Sequence, residues 1–198
     1  RKETVIKTIE EAGKLTPELK TRIDNCINAT ELEDIYLPFK PKRKTKATVA
    51  IEKGLEPLAK LLFEQGSANP DEEAAAYINE QVKDKEEALQ GARDIMAEWM
   101  AESEQARNLV RKIFTEEATV ASRVLSTKKE EEEAQKYRDY FEFKEPLAQS
   151  PSHRILAIRR GEKEGFLIMT INIDKETAHA ELKRVLLKAS NPAAKQVE

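Results

Sequence analysis

Several residue types that support particular kinds of chemistry are scarce in this chain of 198 residues. Cys26 is the single cysteine, and the two histidines are His153 and His179. An internal disulfide is therefore excluded, and neither histidine has a second histidine or cysteine at the spacing of a helical metal site. We expect a reducing, cytoplasmic location, no metal, no cofactor, and packing or surface roles for these three side chains.

Long apolar runs and glycine-rich phosphate loops are missing as well. No apolar run approaches the roughly 20 residues of a membrane span, and no signal peptide is visible, so we expect no membrane partner. The carboxylates are numerous, but they fall on predicted solvent faces and do not form a recognisable acid–base pair. We therefore expect no catalytic residue and no enzymatic activity. Because Arg1 stands where an initiating methionine would, we also expect the chain to be part of a longer protein.

The residues that are abundant favour helix. Charged residues make up 36% of the chain and aromatic residues 6%, with six glycines. Apolar residues recur at helical spacing almost throughout, which predicts a mainly α fold with a modest core and a solvated surface. The formal net charge of −3 argues against a general nucleic-acid coat, so any such contact must come from a local patch.

The pattern of breaks predicts three segments. Residues 1–66 form a helical segment with a basic loop, in which Thr30 and Glu33 are expected to be a capping box. A small, polar linker (GSANP, residues 66–70) leads into a helix-turn-helix-like array at 67–117. Residues 118–198 form a mixed helix and strand segment. The fold is thus a multi-helix array with a minor β element near the C-terminal end.

Two stretches of the third segment are rich in β-branched residues. Residues 119–125 (TVASRVL) are predicted as a short strand, although a helix is not excluded, and residues 166–173 (FLIMTINI) are the best strand candidate. The two could pair, but an isolated two-stranded pairing is only marginally stable. We therefore expect the second strand to join a sheet whose remainder lies outside the chain. The helix between them is expected to end at Gly161.

The basic loop at residues 40–46 (KPKRKTK) is the feature that most invites a functional interpretation. It contains no acidic residue and five cationic residues, which are Lys40, Lys42, Arg43, Lys44 and Lys46. Such a loop could contact phosphates, with steeply salt-dependent binding. The alternative is a solvated loop whose cations complement nearby acidic helix ends.

A recognition helix is the second candidate for nucleic-acid contact. Residues 103–108 (SEQARN) place Gln105, Arg107 and Asn108 at the start of a predicted helix, where helix-turn-helix proteins carry their base-reading side chains. However, Glu104 stands among them, and acids also open the preceding helix. We therefore predict that the helix-turn-helix-like array supplies shape and does not insert into DNA.

The stretch from Leu32 to Leu62 (LEDIYLPFKPKRKTKATVAIEKGLEPLAKLL) resembles the hallmark stretch of the Tex family of bacterial transcription accessory proteins. Further similarities follow in family order at residues 91–95 (GARDI), 138–143 (RDYFEF), 145–147 (EPL) and 151–156, the last followed by Arg-Gly-Glu at 160–162. Together they span nearly the whole chain.

This resemblance implies a larger architecture. Tex proteins carry a helical N-terminal region with a helix-turn-helix element, an RNase H-like domain of the YqgF type, a helix-hairpin-helix domain and a C-terminal OB-fold RNA-binding domain. The chain would be the N-terminal helical region only, without family catalytic residues. The resemblance thus implies a scaffold that positions downstream nucleic-acid-binding domains and docks to transcription machinery, with RNA or DNA bound mainly by domains outside the chain. The alternative is direct phosphate binding through residues 40–46.

Overall fold

The computed structural model describes residues 1–41 and 43–198, and it is mainly α with a small antiparallel sheet, as predicted. The chain forms two compact units, one comprising Arg1–Arg107 with Lys183–Glu198 and the other Asn108–Leu182. The predicted division into 1–66, 67–117 and 118–198 stays a prediction, because spatial grouping does not show which parts fold independently. Among the described residues, none of the helices has the length and apolar character needed to cross a bilayer.

The α-helices of the described residues, in chain order, are α1 (Lys2–Glu11), α2 (Pro17–Asn25), α3 (Ala29–Tyr36), α4 (Lys46–Glu52), α5 (Glu56–Phe63), α6 (Pro70–Ala75), α7 (Lys85–Glu102), α8 (Glu104–Glu117), α9 (Ser152–Lys163), α10 (Lys175–Leu186) and α11 (Pro192–Val197). Short 3₁₀ segments lie at Leu37–Phe39, Ser126–Lys128, Glu132–Tyr140 and Leu147–Gln149.

The first helices begin where side-chain oxygens can accept from free backbone N–H groups. The Thr16 side chain accepts from the Leu19 N–H at 3.2 Å, and Pro17 takes the first helical position, an arrangement that the Thr-Pro sequence favours. The capping box predicted at Thr30 and Glu33 is wrong. Asn28 caps α3 instead, accepting from the Thr30 N–H at 2.8 Å, so that Thr30 lies inside the helix.

The first unit contains two apolar clusters. The smaller one is formed by α1, α2, α3 and the adjoining residues, and its buried members are Val5, Ile9, Ile23, Cys26, Leu32, Ile35 and Tyr36. The Cys26 thiol is 6% exposed and donates to the Asn28 carbonyl at 3.2 Å. Its position among these side chains agrees with the packing role expected from its apolar helix face.

The larger cluster surrounds α7, which packs against α4, α5, α6 and α11. Its fully buried aliphatic side chains include Leu55, Leu58, Leu62, Val82, Ile95 and Met96. The face of α7 toward α4 and α5 carries the small residues Ala88, Gly91 and Ala92. Small side chains allow helix axes to approach closely, so α7 can contact several helices at once.

The second unit contains the sheet, with the strand order β2-β1-β3. The strands are β1 (Thr119–Val124), β2 (Glu142–Pro146) and β3 (Leu167–Asn172), all antiparallel to their neighbours. Both strand predictions are confirmed, including their pairing. The third strand, β2, was not predicted.

Helix α9 packs on β3 and runs past the position where it was expected to end. Gly161 is buried within the helix, and the chain turns at Gly165 instead, with φ +79°. A Cβ atom at Gly161 would lie 2.7 Å from Leu167 Cδ1, 2.9 Å from Leu167 Cγ and 3.2 Å from Tyr137 Cδ1. Gly161 is therefore required for close packing and not for helix termination.

Replacing Gly161 by alanine should lower the free energy of unfolding by about 1–2 kcal/mol, because the overpacking cost exceeds the gain of roughly 1 kcal/mol in helix propensity. Urea denaturation followed by circular dichroism measures the difference. Gly66→Ala is the control, since a Cβ there meets no atom within 4 Å. A Gly161→Ala variant as stable as the Gly66→Ala variant would contradict the packing role.

Candidate nucleic-acid interface

Both ends of the basic loop are fixed by local structure. The 3₁₀ turn Leu37–Phe39 precedes it, and the Lys40 N–H donates to the Leu37 carbonyl at 3.3 Å. At the other end Thr45 caps α4, accepting from the Thr48 N–H at 3.1 Å, while Thr48 Oγ1 accepts from the Thr45 N–H at 2.7 Å. The Thr45 hydroxyl also donates to Glu98 at 2.8 Å. The loop is therefore tethered to α7 as well as to its own helix.

Most of the described cations in the loop are not engaged by acids. The Lys44 ammonium lies 3.5 Å from the Glu52 carboxylate, but both side chains are largely exposed, and such a pair contributes little. Lys40, Arg43 and Lys46 are exposed, and no ion pair within 4 Å joins them to another described residue. Lys42, also predicted as a binding residue, lies outside the described residues.

A groove of about 640 Å³ lies beside the loop, between α4 and α7. Its floor is apolar, with Val49, Ala50, Leu55 and Gly91. One side is basic and the other acidic, and the charged residues are Lys44, Lys46, Lys53, Asp84, Glu86, Glu87 and Asp94. The acidic side would repel a polyanion lying in the groove. The groove is therefore unsuited to a phosphate backbone.

An ion pair links the two sides of this groove. The Lys53 ammonium lies 2.6 Å from Glu87 Oε1, and the Lys83 N–H donates to Glu87 Oε2 at 2.9 Å. The hydrogen bond from Lys53 and then that from Lys83 lower the pKa of the Glu87 carboxyl. Lys53 is thus engaged by an acid, unlike Lys40, Arg43 and Lys46 among the described residues.

The structure engages one of the three predicted recognition residues, Arg107, in an ion pair with α3, whereas Gln105 and Asn108 are exposed. Arg107 Nε donates to Asp34 Oδ1 at 2.7 Å, and the Asp34 side chain is 2% exposed. Glu104 accepts from Arg22 at 2.5 and 2.6 Å, and this hydrogen bond is the main reason that the pKa of the Arg22 guanidinium is raised. The helix-turn-helix interpretation is not confirmed, because α8 begins with side chains that already bind α2 and α3.

The ion pair between Asp34 and Arg107 escaped the sequence analysis. The two residues are 73 positions apart, and no local periodicity connects an acid on α3 with an arginine on α8. The remaining polar candidates form no site. His153 and His179 are exposed, and in the part of the chain that the structure describes no group of three His, Cys, Asp or Glu residues could hold a metal ion.

Replacing Arg107 by alanine should lower the free energy of unfolding by about 1–3 kcal/mol, because it removes a charged donor from a buried carboxylate. The matched control is Arg22→Ala, which breaks the more exposed pair with Glu104 and should cost less than about 1 kcal/mol. Chemical denaturation of both variants gives the comparison. Equal losses would show that burial of Asp34 does not matter.

Comparison with known proteins gives a consistent result. Residues 65–196 match a family model described as Tex central region-like. The chain is 46% identical over 178 residues to Protein YhgF of Escherichia coli (strain K12), covering 89% of the chain and 23% of that protein. It is 44% identical over 167 residues to the Transcriptional accessory protein Tex of Neisseria gonorrhoeae, covering 84% of the chain and 22% of that protein.

A human protein is also similar. The chain is 32% identical over 180 residues to the S1 RNA-binding domain-containing protein 1 of Homo sapiens, covering 86% of the chain and 18% of that protein. The chain thus spans only 23%, 22% and 18% of these three relatives. Since the matched family model describes a central region, the position of the chain at the N-terminal end of the family architecture stays a prediction.

Proposed function

The chain belongs to the Tex family, and from this membership we propose that it is a helical scaffold of a transcription accessory protein. It positions nucleic-acid-binding modules that lie elsewhere in the longer protein, and it offers docking surfaces to transcription machinery in the cytoplasm. It has no reactive centre and takes no cofactor. RNA or DNA is bound mainly by the other modules. The names of the relatives from Neisseria gonorrhoeae and Homo sapiens, which refer to transcription and to RNA binding, support this assignment.

The continuous core around α7 is the observation that carries the proposal. Buried side chains from Ala47 to Met96, together with Ala193 and Val197, belong to one cluster. Residues far apart in the sequence therefore pack into the same core. Because a close-packed core is rigid, the unit is suited to hold attached modules at fixed positions. The engagement of Arg107 and Glu104 in internal ion pairs agrees with this role, because the start of α8 contributes to structure and not to base readout.

The scaffold proposal predicts that the isolated chain does not bind nucleic acid on its own. Fluorescence anisotropy of labelled single- and double-stranded RNA and DNA, at about 0.15 M salt, should show no saturation below roughly 0.1 mM protein, the weak end of non-specific binding. The full-length protein should saturate in the same assay. Equal affinity of the isolated chain and the full-length protein would overturn the proposal.

A second candidate function is direct phosphate binding by the basic loop. It is favoured by the exposure of Lys40, Arg43 and Lys46 and by the absence of ion pairs to them among the described residues. Because both ends of the loop are fixed, less conformational freedom would be lost on binding than in an unstructured segment. Polyanionic RNA or DNA backbone fits such a loop better than a specific base does.

If the loop binds phosphates, replacing Lys40, Arg43 and Lys46 together by alanine should abolish low-salt binding by the isolated chain. In the full-length protein the same change should reduce the slope of log K against log salt by about 2 to 3, since each phosphate contact contributes roughly 0.7 to 0.9.

The matched control replaces Lys14, Lys20 and Lys129 by alanine, which removes the same charge from exposed lysines outside the loop. An effect of net charge alone would give equal losses in the two triple variants. A loss confined to the loop variant supports the second candidate, and unchanged binding by that variant excludes it.

A further inference from the structure

Gln65 has a backbone conformation that is unusual for its residue type. It lies just beyond the end of α5, with φ +57°, and it is the one non-glycine residue at positive φ among residues 1–41 and 43–198. Its side chain is buried, with the residue 4% exposed. A strained residue of this kind persists only where its surroundings determine it strongly, so its contacts call for an explanation.

The side-chain amide of Gln65 binds the backbone of a segment that is more than 100 residues away in sequence. Nε2 donates to the Leu186 carbonyl at 2.8 Å, and Oε1 accepts from the Lys188 N–H at 2.7 Å and from the Ala189 N–H at 3.3 Å. Leu186 is the last residue of α10, where carbonyls have no partner within the helix, and the two N–H groups belong to the segment that follows. Gln65 therefore supplies a donor to the end of α10 and an acceptor to the segment that leads to α11.

Asn191 completes the connection from the opposite side. Its Nδ2 donates to the carbonyls of Gln65 and Gly66, at 2.8 and 2.9 Å. Its Oδ1 accepts from the Ala194 N–H at 2.8 Å and so caps α11. One amide group thus starts α11 and joins it to the end of α5.

Helix α11 needs this anchorage because it is too short to be stable alone. It has six residues, whereas isolated helices shorter than roughly 12 residues are marginal in water. Its buried side chains are Ala193, Ala194 and Val197, which lie against α5, α6 and α7. Two of these three side chains are alanines, which bury little apolar area. Polar contacts therefore contribute to keeping α11 docked, and they are those of Gln65 and Asn191 and the hydrogen bond from Arg93 Nη1 to Gln196 Oε1 at 2.8 Å.

We propose that Gln65 and Asn191 form a polar clasp that controls whether residues 187–198 stay docked against α5, α6 and α7. The inference rests on the proposed scaffold role. The first unit is built from two stretches, Arg1–Arg107 and Lys183–Glu198, and α11 is the part of the second stretch that covers the core of the first. With the clasp open, α11 leaves and uncovers apolar side chains of α5 and α6.

The test uses Asn191→Asp in the full chain. This change keeps the oxygen that caps α11 but removes the donor to the Gln65 and Gly66 carbonyls. Hydrogen exchange measured by mass spectrometry should show exchange of residues 187–198 accelerated by about tenfold or more, with α1 and α9 unchanged. The matched control is Asn28→Asp, at the cap of α3, where the side-chain oxygen is the group that accepts. It should leave residues 187–198 at the wild-type rate.

Gln65→Gly separates hydrogen bonding from backbone strain. Glycine relieves the strain of positive φ but loses all three side-chain hydrogen bonds, so the proposal predicts faster exchange of residues 187–198 despite the relief. Unchanged exchange in both variants would overturn the clasp. Equal acceleration throughout the chain would overturn it too, because the pair would then stabilise the whole fold.

The two proposals fail in different experiments. Saturable RNA binding by the isolated chain with a local effect of Asn191→Asp would reject the scaffold role and keep the clasp as a structural device. The absence of RNA binding with no effect of Asn191→Asp would reject the clasp alone.

Discussion

The close approach of α4 and α5 to α7 is the constraint on which the first unit depends. At Gly91 there is no space for a side chain, since a Cβ atom would overlap Leu55 Cδ1 and lie 3.2 Å from Ala50 Cβ. With Ala88 and Ala92 beside it, Gly91 allows the aliphatic side chains of the neighbouring helices to fill the space around α7. The apolar area removed from water in this way is the main stabilising contribution available to a chain with so many charged residues.

The charged residues of this unit divide into two groups with different consequences. Two ion pairs join α2 and α3 to the start of α8, and they engage Arg107, one of the three side chains that a recognition helix would use. The basic loop is different, because its described cations face solvent with at most one weak ion pair. The charged residues that form internal ion pairs at the start of α8 are thus distinct from the exposed cations of the basic loop. A scaffold role and a phosphate-binding loop can therefore be tested with separate substitutions.

The sequence predicted the features that depend on local patterns. Apolar periodicity indicated most helices, Thr16 with Pro17 indicated the start of α2, and β-branched runs indicated β1 and β3. The capping role of Asn28 was missed because Thr30 and Glu33 match the same motif two residues later. The strand β2 was missed because its alternation is short and its neighbours are aromatic.

The features that were not predictable depend on distant residues. Gly161 looks like a helix end in sequence, and only the proximity of Leu167 and Tyr137 shows that it is a packing position. The partners of Asp34 and Gln65 are likewise remote, so no local pattern identifies them. For the candidate site, the sequence located the basic loop but could not show which of its cations lack an acidic neighbour.

A single scaffold requires that helices on both sides of the linker at residues 66–70 form one cooperative core. Native-state hydrogen exchange at increasing denaturant can compare amides of residues 58–62 in α5 with those of residues 88–96 in α7. Both sets should exchange through the same opening, with one free energy and one denaturant dependence equal to those of global unfolding of the unit. Separate openings for the two helices would show independent bodies on either side of the linker and would contradict a single scaffold.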